Sequence, residues 1–116
     1  MFSPTDLIKS REVYYITSSA TPNIHTDKYG SVSITALATN ITSMTSGLTW
    51  VPVDFQPLVI RIKDNGSARA IAWGSKFEAR WVNLPTTTVA GKVLTVWFVY
   101  DITTLKFGCV SSVQEV

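Results

Sequence analysis

His25 is the only imidazole in the chain and Cys109 the only thiol, so nucleophilic or acid–base chemistry of the familiar kinds has to be built on one of them. His25 sits in a polar stretch beside Asn23, Thr26 and Asp27, and no Gly-X-Ser-X-Gly elbow or other nucleophile context accompanies it. A solvated loop histidine is the expected reading. Cys109 lies among Phe107, Gly108 and Val110, where a small buried hydrophobe is expected, and no adjacent cation would activate its thiol. His25 and Asp27 alone do not make a metal site, because no Cys/His cluster completes them. Asp54, Asp64, Glu78 and Asp101 fall in separate turns and strands, so a glycosidase-type carboxylate pair would depend on the fold bringing two together. The six glycines are isolated and mark turns rather than a phosphate-binding loop. No catalytic, cofactor or metal site is expected.

Aromatic side chains are better candidates, since exposed Trp and Tyr bind sugars and anchor protein interfaces. Trp97 lies in a strand apolar on both faces and is expected in the core, whereas Trp81, between Arg80 and Asn83 on a short strand, is a candidate for either the core or an interface. Phe2, Leu7 and Ile8 precede the alternating region and have no obvious place in a core, so this arm is expected to be satisfied by another subunit, together with Tyr14 and Tyr15. Arg61, Lys63 and Arg69 are the nearest thing to a basic stripe, and a solvated strand face accounts for them. Nucleic acid is not an expected partner.

The elements that must position these residues are strands. Val, Ile, Thr, Tyr, Phe and Trp fill most segments, a choice that suits pleated surfaces and disfavours helices. Ser3 and Pro4 permit a turn or two of helix over 3–9 and no more. Residues 12–19 read as a first strand. Residues 31–38 alternate Val32, Ile34, Ala36 and Ala38 against Ser31, Ser33 and Thr35, with Leu37 breaking the pattern. Residues 40–47 read as a Ser/Thr-rich connection and 48–53 as a short edge strand ended by Pro52. Asp64-Asn65-Gly66-Ser67 separates two alternating runs, which predicts a tight hairpin with Leu58, Ile60 and Ile62 inward. Residues 78–82 predict another short strand, 92–100 a central strand between two layers, and 105–113 its hairpin partner.

Length and composition bound the class. The chain has 116 residues, 46% hydrophobic and 16% charged, with a net charge of +2, which fits one domain with a real core and no need of a metal or disulfide. No apolar run approaches the roughly 18 residues of a membrane-spanning helix. The opening residues lack the basic-then-apolar order of a secretory signal, so export by that route is not expected, and the acceptor patterns Asn40-Ile41-Thr42 and Asn65-Gly66-Ser67 carry little weight. The expected architecture is an all-β antiparallel sandwich, jelly-roll-like or a partly open barrel, over 13–116, with an N-terminal arm over 1–12.

Residues from about Thr21 to Glu115 resemble a small β-domain of tailed-bacteriophage virion structural proteins, often found at the C-terminal end of tail proteins. The resemblance is carried by Ser33-Ile34-Thr35-Ala36-Leu37-Ala38, Ile60-Arg61-Ile62-Lys63-Asp64-Asn65-Gly66, Ala68-Arg69-Ala70-Ile71-Ala72-Trp73, Leu84-Pro85-Thr86-Thr87-Thr88-Val89 and Val113-Gln114-Glu115. Trp81-Val82-Asn83 departs from it, standing where smaller residues are expected. It implies a non-enzymatic module of the virion, made in the host bacterial cytoplasm and assembled with its own copies, commonly as a homotrimer, with no membrane partner and no cofactor. A small domain with an apolar arm and no stalk suits a capsid decoration, or cement, protein contacting the major capsid protein. The alternative is a tail or fibre-tip protein binding a host glycan through Trp81, Tyr29 and Trp50, and a small hydrolase using His25 stands third.

Overall fold

Alternating apolar residues lay down nine strands in the computed structural model, which describes residues 13–26, 29–46 and 52–116. They are β1 (Val13–Ile16), β2 (Asn23–Ile24), β3 (Ser31–Leu37), β4 (Ile41–Ser46), β5 (Pro57–Asp64), β6 (Ile71–Trp73), β7 (Phe77–Ala79), β8 (Val93–Asp101) and β9 (Lys106–Gln114). The described residues form no helix. The arm over 1–12, the helical turn expected over 3–9 and most of the strand expected over 48–53 lie outside the described residues.

The chain is all-β, but its sheets are not the antiparallel ones expected. One sheet has the order β1-β3-β5-β8-β9-β7, and the other β2-β4-β6. β1, β3 and β5 pair in parallel, as do β2, β4 and β6 and the β7–β9 pair, while β5–β8 and β8–β9 are antiparallel. The parallel pairing follows from the path. From β1 to β6 the chain deposits strands alternately in the two sheets, so each return to a sheet runs in the same direction as the last. Parallel neighbours need a crossover, usually a helix; here a strand of the other sheet does that work. One apolar cluster draws from both sheets, with Ile24, Ile41, Met44 and Ile71 from the smaller and Ile34, Leu58, Ile60, Ile62, Val96 and Phe98 among those from the larger.

The hairpin expected around Asn65-Gly66 does not form. Leu58, Ile60 and Ile62 do point inward and Gly66 has a φ of 108°, but β5 already has β3 on one side and β8 on the other. Seven paired positions from Pro57 with Val99 to Lys63 with Val93 occupy the edge the hairpin needs. Asp64 redirects the chain instead. Its buried carboxylate accepts the Gly66 and Gly91 N–H groups at 3.0 and 2.7 Å and the Thr88 hydroxyl at 2.6 Å. The strand after the turn crosses to the other sheet and pairs with β4. There Ala70 bridges Thr87, the Arg69 N–H donates to the Thr88 hydroxyl, and the Trp73 indole N–H donates to the Pro85 carbonyl at 2.7 Å. The segments 68–73 and 84–89 are thereby fastened together.

Other expectations shift in smaller ways. β4 occupies what read as a connection: Ile41 and Met44 are buried although Ser and Thr surround them. Leu37 breaks the alternation of β3 because a register shift between Ile34 and Leu37 turns it back inward. The C-terminal hairpin forms as expected, Asp101 opposite Lys106.

Candidate interaction surface

Period-two alternation gives the six-stranded sheet an inner and an outer face. On β8, Leu94, Val96, Phe98 and Tyr100 are buried inward, leaving Val93, Thr95, Trp97 and Val99 on the outside. Trp97, expected in the core, is therefore a surface residue, 36% exposed. The expectation failed because β8 is apolar on both faces while only one of them meets the second sheet.

Strand register aligns the outer residues in rows. Val13 pairs with Ser31, Ser31 with Val59, Val59 with Trp97 and Trp97 with Ser111, forming one row across five strands. The next row is Tyr15, Ser33, Arg61, Thr95 and Val113. Small serines on β3 lie between larger neighbours, and the result is an open groove of about 280 Å³ lined by Val13, Ser31, Ser33, Val59, Arg61, Thr95 and Trp97. Around it Val13, Tyr15 and Val113 are 37%, 66% and 52% exposed. Arg61 lies over Ser33, both Nε and Nη2 reaching its hydroxyl oxygen at 3.3 Å. Among the described residues no acid lies within ion-pair distance of Arg61.

The residues singled out from sequence do not all come together here. Tyr15 belongs to the outer face. Tyr14 points the other way, packs against the core, stacks on Tyr29 at 5.0 Å and meets His25 edge-on at 5.8 Å. Trp81 follows β7 at the opposite edge of the sheet, 61% exposed, with the Arg80 guanidinium 5.3 Å from its ring centre. Five strand spacings put it about 24 Å from β1. Phe2, Leu7, Ile8 and Trp50 lie outside the described residues. Val13, Val59, Trp97 and Val113 were missed. Thr95, the one polar residue inside the apolar run 93–100, was the signal that one side of that strand faces out.

Groups suited to chemistry are spread apart or already engaged. Among the described residues no group of three or more His, Cys, Asp or Glu is placed to hold a metal ion. Burial pushes the Cys109 thiol pKa up, and its Sγ lies 3.7 Å from the Ser111 carbonyl. Burial also works to raise the Asp64 pKa, but the Gly91 and Gly66 amides and the Thr88 hydroxyl outweigh it and hold the carboxyl below its ordinary value. Asp101, Glu78 and Arg80 form a surface ion-pair cluster. Arg61 and Lys63 are exposed on the same face of β5, while Arg69 Nη2 donates to Asn65 Oδ1 in the turn beyond that strand.

A second exposed apolar region lies where loop 53–56 meets the β8–β9 tip. Phe55, 76% exposed, and Leu105 hold left-handed φ values of 67° and 58°, a strained choice for bulky side chains. The Phe55 N–H donates to the Tyr100 carbonyl at 2.8 Å and the Ile102 N–H to Asp54 Oδ1 at 3.1 Å. No family model, curated protein or solved structure matches the chain.

Proposed function

We propose that this chain is a non-enzymatic structural module of a tailed-bacteriophage particle, most specifically a capsid decoration protein whose two sheets act as the layers of a sandwich. The observation that carries the reading is the outer face of the six-stranded sheet, where Tyr15, Trp97 and Val113 stand exposed around an open groove. Contiguous exposed apolar surface marks an interaction site. Repetition over many copies in a shell would multiply a modest contact. The resemblance of residues 21–115 to virion proteins supplies the setting, and a homotrimer contacting the major capsid protein is the assembly it favours. Nucleic acid, membrane and cofactor have no part in this reading.

Deleting residues 1–11 and presenting the purified domain to undecorated particles tests it. The full-length chain is expected to join the particles and the truncated chain to keep its fold and fail to join them, whereas a full-length chain that does not join overturns the reading. The exposed Trp81 with Arg80 over its ring supports a tail-tip reading in which host glycans stack on that indole. Selective binding on a glycan array, lost in Trp81→Ala without loss of fold, would favour it over capsid decoration.

A further inference from the structure

We infer that the groove on the outer face takes residues 2–8 of a second copy of this chain, with the Asp6 carboxylate on the Arg61 guanidinium. The inference deepens the assembly reading and rests on it, adding which surface receives the arm and from which molecule.

Chemistry on both sides fits. The groove offers Val13, Val59 and Trp97 as apolar walls and Arg61 as a cation with no acidic partner among the described residues. Residues 2–8 offer Phe2, Leu7 and Ile8 around a single acid, Asp6. An aspartate seated on Arg61 would keep the guanidinium charge-paired once water leaves the groove. Length allows the donor to be a second molecule. Extended, the seven residues from Asp6 to Val13 span roughly 23 Å, enough to leave one copy and lie in the groove of the next. Passing each arm to the next subunit closes a ring without demanding a two-fold axis.

Two measurements on the purified full-length protein test this without any particle. The first is self-association by sedimentation, with circular dichroism as a check on folding. Arg61→Asp and Asp6→Arg are each expected to weaken association at least tenfold, and the two combined in one chain to restore it to within threefold. Failure of the double variant to restore association overturns the pairing. The second mixes Leu7→Cys chains with Thr95→Cys chains under mild oxidation. A disulfide-linked dimer containing one of each is expected. An intramolecular bridge alone in a chain carrying both substitutions, or no bridge in either arrangement, overturns the inference. Loss of particle joining on arm deletion, without either result, would leave the decoration reading standing and remove this one.

Discussion

The inner and outer faces of the six-stranded sheet are made by the same strands, one residue apart, yet only one of them is covered by the second sheet. Leu58, Ile60, Ile62, Val96 and Phe98 are buried against the second sheet, while Val59, Arg61, Thr95 and Trp97 alternate with them and meet none of it. Burial of an apolar side chain contributes about 1.5–3 kcal/mol whichever face it is on, provided something covers it. The inner set contributes that energy on folding. The outer set still has it to give. The face of a residue, and not its hydrophobicity, decides whether a substitution should damage the fold or the assembly.

Substitutions across that divide should sort cleanly. Phe98→Ala, which removes a ring packed against Trp73 and Phe77, is expected to cost about 3–5 kcal/mol in urea unfolding, against under about 1 kcal/mol for the neighbouring Trp97→Ala. Equal losses at the two positions would abolish the distinction. Gly74→Ala comes next, because an added Cβ would run into the Met44 backbone carbonyl that accepts the Gly74 N–H. A loss of about 2–3 kcal/mol is expected, from prying β6 off β4.

Asp64→Asn removes a charged acceptor of three hydrogen bonds and should cost about 1–3 kcal/mol at neutral pH. Its native pKa is lowered, so the stabilisation is fully present above the unfolded value near 3.9 and is lost as pH falls through the native value. The difference between wild type and Asp64→Asn should therefore shrink below about pH 4 in acid titrations followed by circular dichroism. The smallest effect is expected at the tip, where Leu105→Gly relieves a left-handed backbone and should change stability by no more than about 1 kcal/mol, in the stabilising direction.

Much of the inner face was legible in the sequence. Alternation placed Leu58, Ile60 and Ile62 inward, and the run 92–100 followed by 105–113 gave the C-terminal hairpin, because a side-chain period of two reports which face a residue takes. It does not report strand direction. The parallel winding of β1 to β6 was hidden for that reason, and Asn65-Gly66 marked a reversal without showing that Asp64 sends the chain into the other sheet. The outer face was only half visible. Tyr14 and Tyr15 were both read as partner contacts although alternation sends only Tyr15 to the outer face, and Trp97 read as core because apolar composition on both sides of a strand looks the same whether or not a second layer covers it.

The central claim is that the outer face is the surface buried when copies assemble, and hydroxyl-radical footprinting of the full-length protein under assembling conditions tests it most directly. Phe55, exposed on the loop before β5 and not part of the groove lining, serves as an internal reference. The account predicts that Trp97 and Tyr15 become protected relative to Phe55 on assembly, and that removing residues 1–11 abolishes the protection. Labelling of Trp97 and Tyr15 at the same rate relative to Phe55, with and without those residues, would contradict it.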